Sequence, residues 1–133
     1  MRDFEAPTRS AVFAREAMAA TSHPSATLTA VQVLAAGGNA IDAAIAAVAV
    51  QCVVEPHMTG IGGDCFALIA PQGSDRVIAY NGSGRTPAGL DPSGVVGSGM
   101  EELPRSSPLA VTVPGAIDAW TRLHADHGRM PWA

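Results

Sequence analysis

A single arginine is the residue of this chain best suited to bind an acidic small molecule. Arg85 stands in the sequence GSGRTP, which spans residues 82–87. A planar guanidinium group can donate two parallel hydrogen bonds to one carboxylate, and neighbouring glycines let a ligand approach the backbone. A solvated loop arginine would have the same sequence. The residues alone therefore leave Arg85 as either a carboxylate-binding group or an exposed loop side chain.

A second loop, residues 59–64, is rich in glycine and could present backbone amides to an anion. It is not a dinucleotide-binding fingerprint, because it follows a predicted helix rather than a strand, and Cys65 stands where the third glycine would fall. It also lacks the Gly-Lys-Ser/Thr ending of a phosphate loop. Such glycines equally permit a tight corner between packed elements. The loop is therefore predicted to be either an anion site or a tight corner.

The histidines are weaker candidates for chemistry. His124 and His127 lie three residues apart, with Asp118 and Asp126 nearby, but no third metal ligand has support from the sequence. A helix C-terminus also favours such residues, because it attracts partial positive charge. No serine, threonine or cysteine visibly stands beside a base. We therefore expect no metal, no cofactor and no catalytic residue in this chain.

Composition limits the class of protein. The 133 residues predict one domain or part of one. A net charge of −4 argues against nucleic-acid binding. Only 15% of the residues are charged while 47% are hydrophobic, so the chain is expected to bury surface against a partner. No signal peptide is visible at the N-terminus, which makes the cytoplasm the default location, and no membrane span is expected. Cys52 and Cys65 are expected to be buried thiols rather than a disulfide.

Two predicted helices precede the loops. The first is capped by Ser22 or Ser25 and runs to about residue 36, where two glycines end it. Its predicted apolar face consists of Leu28, Val31, Val33 and Leu34. Asn39 caps the second helix, and Asp42 places a negative charge at the positive end of the helix dipole. Together the helices predict a helical hairpin.

The second helix is expected to be the central packed element of the fold. From residue 40 to residue 54 only Asp42 and Gln51 are polar, which is typical of a helix buried nearly all round. Its predicted stripe consists of Ile41, Ile45, Val48 and Cys52.

Residues 65–70 and 76–80 predict an antiparallel strand hairpin. Weaker patterns predict an edge strand over residues 11–14 and a third strand over residues 109–113. Glycine and serine make residues 92–100 an expected irregular segment. A last helix is expected from residue 114 to about residue 124 or later, with Gly128 ending it and with Ile117, Trp120 and Leu123 on one face.

Five motifs, in order along the chain, resemble the N-terminal part of gamma-glutamyltransferases. They are SHPSA at residues 22–26, AAGGNAIDAA at 35–44, VEPHMTGIGG at 54–63, GSGRTP at 82–87 and VPG at 113–115. The resemblance extends from about Arg9 to Trp132, and several long motifs in the right order make it specific.

The resemblance implies a fold and an activity. Members have the α/β/β/α sandwich of the N-terminal-nucleophile hydrolases, so this α/β chain would form part of such a sandwich, with a helical hairpin and antiparallel strands. Members cleave themselves into a large and a small subunit and transfer the gamma-glutamyl group of glutathione or related amides to water or an amino acid. Residues 1–133 would be the N-terminal portion of the large subunit, an incomplete domain. Arg85 matches the arginine that binds the alpha-carboxylate of the gamma-glutamyl group.

The family's nucleophilic threonine, amino-group ligands and oxyanion-hole glycines belong to its later half. The isolated chain is therefore predicted to be inactive, with the remainder of the large subunit and the small subunit as its partners. Thr86 and Pro87 follow Arg85 where many members have Arg-Glu, and relatives with the GSGR form include acylases of other amides, so donor and acceptor stay unassigned. Two alternatives remain open: a non-catalytic module that binds a small acid, and a structural half of a split enzyme.

Overall fold

The computed structural model describes residues 11–99, 102–104 and 106–132, and these residues have an α/β fold. The N-terminal residues 1–10, at which no signal peptide is expected, lie outside the described part. The helices are α1 (Pro24–Ala35), α2 (Ala40–Val54), α3 (Pro92–Gly97) and α4 (Ala116–His127), and the strands are β1 (Cys65–Ile69) and β2 (Ile78–Gly82). One turn of 3-10 helix spans Pro108–Ala110. None of the described helices is long and apolar enough to cross a membrane.

The predicted helical hairpin is present as α1 and α2. The cap of α1 differs from the prediction: His23, rather than Ser22 or Ser25, precedes the helix, and its Nδ1 accepts a hydrogen bond from the amide of Ser25 at 3.1 Å. Gly37 makes the turn with a φ of 95°, a conformation that glycine adopts without a side-chain clash.

The predicted cap of α2 is confirmed. The side chain of Asn39 accepts hydrogen bonds from the amides of Ile41 and Asp42, and the Asp42 carboxylate accepts one from the Asn39 amide at 2.8 Å. This reciprocal pair is a capping box.

Alanines, rather than the larger apolar residues, form the buried contact between α1 and α2. Ala26 and Ala30 of α1 are buried against Ala43 and Ala47 of α2. Small side chains let the two helix axes approach closely, because axis separation depends on the side chains at the contact. The predicted apolar faces are therefore displaced: Leu28 and Val31 of α1 are exposed, Val33 and Leu34 are partly buried, and the predicted stripe of α2 is only half-buried.

The expectation that α2 is buried nearly all round is wrong for the described residues. Val53 is 78% exposed, and Val54 is exposed as well. The cause is geometric: α2 packs on α1 and, at fewer positions, on α4, so these neighbours cover only part of its circumference.

The predicted strand hairpin is confirmed. β1 and β2 pair antiparallel in a register that sets Cys65 opposite Gly82 and Ile69 opposite Ile78. One face of the hairpin packs on α4, whereas Phe66 and Leu68 on the other face are 69% and 78% exposed. Both cysteines are half-buried free thiols.

Three other predictions are wrong. Residues 11–14 form no strand within the described chain. Residues 108–110 wind into a 3-10 turn that Pro108 starts and the Ser107 side chain caps, so no third strand forms over residues 109–113. The segment expected to be irregular contains α3, because the Asp91 side chain accepts a hydrogen bond from the Ser93 amide and so caps a helix that begins at Pro92. Residue 100, the end of that segment, lies outside the described residues.

The last helix, α4, joins the helical hairpin to the strands. It begins after Gly115 rather than at Pro114, and Gly128 ends it as predicted, with the Gly128 amide donating to the His124 carbonyl. Trp120 and Leu123 are buried as predicted, together with Ala116 and Ala119, whereas Ile117 is exposed. Helix α4 contacts α2, β1 and β2.

Candidate functional site

The two glycine-containing loops meet the segment that leads into α4. We call this meeting point the Arg85 junction, and it consists of residues 63–64, 82–85 and 112–116. The amides of Gly115 and Ala116 both donate to the carbonyl of Gly63, at 3.1 and 3.0 Å. The amide of Val113 donates to the carbonyl of Arg85 at 2.9 Å. Three of the five motifs that carry the family resemblance are therefore in direct contact.

A carboxylate connects the three segments of the Arg85 junction. Asp64 Oδ1 accepts a hydrogen bond from the Gly84 amide at 2.8 Å and another from Thr112 Oγ1 at 3.0 Å. The sequence alone assigns no role to Asp64. The signal that it offered was an acidic residue between a glycine pair and a predicted strand.

Three glycines of the Arg85 junction leave no room for a Cβ atom, and the first of them, Gly82, would place it 2.8 Å from the carbonyl oxygen of Cys65. A Cβ atom at Gly84 would lie 1.6 Å from the carbonyl oxygen of Val113. A Cβ atom at Gly115 would lie 2.5 Å from the carbonyl oxygen of Gly82. No side chain larger than hydrogen fits at these positions, so residues 82–85 can pass directly against residues 112–115.

Gly63, the last glycine of the glycine loop, lies at a turn that contacts the start of α4. Its carbonyl receives the first amides of α4, and its amide donates to the carbonyl of Gly60 at 3.3 Å. These polar groups are used inside the protein. Gly63 therefore lies at a corner, whereas an added Cβ atom at Gly60 or Gly62 would meet no atom of the described residues within 4 Å, so both roles stay open for that part of the loop.

Arg85 lies at the surface of the junction. Its side chain is exposed, while its carbonyl is held by Val113 and the preceding amide is held by Asp64. Among the described residues the arginine–carboxylate ion pair is Arg122 with Asp118, so no carboxylate of the described chain forms an ion pair with Arg85. The guanidinium group is thus presented to solvent from a fixed backbone.

The histidines considered for a metal site take part in helix packing. Nε2 of His124 lies 2.7 Å from the Met130 carbonyl oxygen, and its ring packs against Trp132 in a tilted arrangement, with centroids 4.8 Å apart and an interplanar angle of 55°. The carbonyl of His127 accepts a hydrogen bond from the Asn39 side chain. The described residues contain no group of three side chains that could hold a metal ion.

Asp42 forms a second polar cluster, away from the Arg85 junction. Its buried carboxylate accepts hydrogen bonds from the amides of Asn39, Arg129 and Met130 and lies 3.5 Å from His124 Nε2. Burial raises the pKa of this carboxyl. The three amide donors and His124 together lower it by more, so the pKa lies below the ordinary value of 3.8. The cluster ties the start of α2 to the chain beyond α4.

Comparison with known proteins gives a consistent family. The sequence model described as Gamma-glutamyltranspeptidase matches residues 26–133. The glutathione hydrolase-like YwrD proenzyme of Bacillus subtilis is 40% identical over 123 residues, which cover 92% of this chain and 23% of that protein. The oxamate amidohydrolase proenzyme of Klebsiella pneumoniae is 38% identical over 112 residues, covering 77% of this chain and 19% of that protein. The chain thus spans about a fifth of the length of these relatives.

Solved structures show the same likeness. The Helicobacter pylori gamma-glutamyltranspeptidase superimposes with a TM-score of 0.78 at 28% identity, covering 91% of this chain and 35% of that one. A cephalosporin acylase from Bacillus halodurans superimposes with a TM-score of 0.72 at 40% identity, covering 96% of this chain and 25% of that one.

Proposed function

This chain belongs to the gamma-glutamyltranspeptidase family, and we propose that it forms the N-terminal part of the large subunit of an enzyme that transfers a gamma-glutamyl group to water or to an amino acid. The observation that carries the proposal is the family match over residues 26–133, which includes the whole Arg85 junction. Because the chain spans about a fifth of its relatives, the activity belongs to an assembly with the remainder of the large subunit and the small subunit.

Arg85 binds the alpha-carboxylate of the gamma-glutamyl donor in this proposal. Its exposed guanidinium group can donate two parallel hydrogen bonds to one carboxylate. Hydrogen bonds hold the Arg85 carbonyl, which follows its Cα, and the amide of Gly84, one residue before it, so less backbone ordering remains when the ligand binds. The role of the group is to orient the donor, since it does not touch the amide bond that is broken.

The reaction needs a nucleophile that the remainder of the enzyme supplies. That nucleophile attacks the donor's gamma-carbonyl carbon, the amine leaves with a proton, and the acyl group then passes to water or to an amino acid. The chain by itself, residues 1–133, is accordingly inactive in this proposal.

The two-stranded hairpin is part of an α/β/β/α sandwich in the same proposal. Its face that carries Phe66 and Leu68 is apolar and exposed, whereas α4 packs on the opposite face. A second sheet from the remainder of the enzyme would cover Phe66 and Leu68, because a half-apolar sheet must bury that face to be stable.

The experiment uses the full-frame protein, by which we mean the product of the reading frame that contains residues 1–133 together with any sequence that continues it. Release of the chromogenic amine from a gamma-glutamyl anilide is measured for wild type, Arg85→Ala and Arg85→Lys. We expect Arg85→Ala to raise the donor KM about 100-fold, because two charge-assisted hydrogen bonds are lost. Arg85→Lys should be intermediate, because an ammonium group cannot form the bidentate pair.

Arg122→Ala is the matched control, because Arg122 is exposed on α4 and pairs only at the surface with Asp118. The donor panel should also contain oxamate and a cephalosporin amide, since relatives bear those names. Equal donor KM values for wild type and Arg85→Ala would overturn the role of Arg85. Amine release by the isolated 133-residue chain would overturn the division of labour.

The exposed Arg85 also favours a second candidate, a non-catalytic module that binds a small acid. Calorimetry of the full-frame protein with glutamate distinguishes the two candidates. The module is favoured if the wild-type protein binds glutamate but turns over no amide of the panel, and if Arg85→Ala abolishes that binding.

A further inference from the structure

We infer that Asp64 is a positioning residue for Arg85: its carboxylate fixes the backbone from which the guanidinium group projects. The inference rests on the proposed function, because it concerns how the carboxylate-binding group of that site is held. Asp64 does not need to touch the substrate for this role.

Asp64 holds the residue that directly precedes Arg85 in the chain. Asp64 Oδ1 accepts the hydrogen bond of the Gly84 amide at 2.8 Å, within the ordinary range for a charge-assisted bond. That amide belongs to the residue directly before Arg85. Because Gly84 has no side chain to restrict its dihedral angles, this hydrogen bond supplies a restraint that the residue itself does not.

The Arg85 carbonyl is held by the segment that leads into α4. The Arg85 carbonyl accepts the amide of Val113 at 2.9 Å. Asp64 Oδ1 also accepts a hydrogen bond from Thr112 Oγ1 at 3.0 Å, so the same oxygen holds the residue that precedes Val113. A single carboxylate oxygen therefore connects the segment that contains Arg85 to the segment that its carbonyl contacts.

A carboxylate suits position 64 because it must accept hydrogen bonds from two distant segments. Asp64 connects to segments that lie 20 and 48 residues later in the sequence. An ionised acceptor makes stronger hydrogen bonds than a neutral one, and one of its oxygens can accept two donors. Asparagine would keep the acceptor without the charge, and alanine would remove both. The series Asp, Asn, Ala therefore grades the restraint on Arg85.

Steady-state kinetics of the full-frame protein test the coupling to Arg85. We expect Asp64→Ala to raise the donor KM about 10- to 100-fold, with a much smaller change in kcat, because binding of the carboxylate is loosened while the nucleophile is untouched. Asp64→Asn should recover part of the loss. Asp118→Ala, which removes an exposed carboxylate on α4, is the matched control and should leave KM unchanged.

A double-mutant cycle separates positioning from general stability. In the Arg85→Ala background, Asp64→Ala should add less than about a twofold change in KM, because the group that Asp64 positions is already gone. Additive losses, or a fall in Tm with an unchanged KM, would overturn the inference.

Hydrogen exchange measured by mass spectrometry gives a readout that does not depend on activity. In Asp64→Ala, peptides that cover residues 82–86 and 111–115 should exchange about ten times faster or more, while residues 43–50 of α2 should be unchanged. Unchanged exchange in both junction peptides would overturn the inference, whether or not the enzyme is active. If Asp64→Ala exchanges faster in these peptides but the wild-type protein has no gamma-glutamyl activity, the structural inference is supported and only the proposed function is overturned.

Discussion

Replacing Gly84 by alanine adds one methyl group at the most crowded point of the Arg85 junction. The new Cβ would lie 1.6 Å from the Val113 carbonyl oxygen and 2.7 Å from its carbon, whereas ordinary van der Waals contact begins near 3.4 Å. The φ angle of Gly84 is not positive, so alanine meets no conformational penalty there. Steric contact with Val113 is therefore the effect that the substitution measures.

The magnitude follows from what must move. Residues 82–85 have to separate from residues 112–115 by nearly 2 Å, which breaks the Val113–Arg85 hydrogen bond and strains the Asp64–Gly84 hydrogen bond. Overpacking costs about 1–3 kcal/mol and each lost hydrogen bond about 0.5–1.5 kcal/mol. We expect the free energy of unfolding to fall by about 2–5 kcal/mol, which lowers Tm by about 2–5 °C in a full-frame protein of its relatives' length.

Gly62→Ala is the matched control, because an added Cβ there meets no atom of the described residues within 4 Å and the φ angle is not positive. It should be neutral or slightly stabilising, since alanine reduces the entropy of the unfolded chain. Thermal and urea unfolding of the full-frame protein, followed by circular dichroism, measure both variants. A Tm for Gly84→Ala within 1 °C of wild type, or equal losses in the two variants, would refute the reasoning.

Two further predictions concern stability and assembly. Asp42→Asn should lower the free energy of unfolding by about 1–3 kcal/mol at pH 7 in urea titrations. Because the native pKa of Asp42 is lowered, its contribution is present above the unfolded value of 3.8 and lost as pH falls through the native value, so the difference between the two proteins should shrink in acid; a constant difference would contradict this. Leu68→Lys should reduce binding of a hydrophobic dye by the isolated chain and prevent its assembly with the remainder of the enzyme; unchanged dye binding would contradict it.

Local signals account for the parts of the fold that were predicted correctly. Asn39 and Asp42 stand at the spacing of a capping box, and the two preceding glycines end a helix, so the helical hairpin follows from neighbouring residues. The β1–β2 hairpin likewise follows from two apolar segments separated by a turn.

The remaining elements depend on competition between signals. Asp91 and Pro92 are a helix start, but the glycine and serine content of the segment suggested irregular structure. Residues 109–113 contain the branched apolar residues that strands favour, but the Ser107 side chain caps a 3-10 turn over Pro108–Ala110, and the Val113 amide donates to the Arg85 carbonyl. Which alanines form the core depends on which faces of α1 and α2 meet, and that is decided by the packing of the two helices rather than by either helix alone.

The candidate site was only half predictable. Arg85 can be singled out from its own type and from the flanking glycines. Asp64 cannot be assigned in that way, because its partners Gly84 and Thr112 are distant in the sequence. Only the folded chain shows that the two loops share one carboxylate.

The carboxylate of Asp42 is shared by parts of the chain that are 87 residues apart in sequence. It serves the first turn of α2 and, at the same time, the amides that follow α4. Opening of residues 128–130 would therefore remove the amide donors of Arg129 and Met130 from the carboxylate that caps α2, and unwinding of α2 would release those residues. The start of α2 and residues 128–130 are consequently expected to unfold together, because a single side chain connects them.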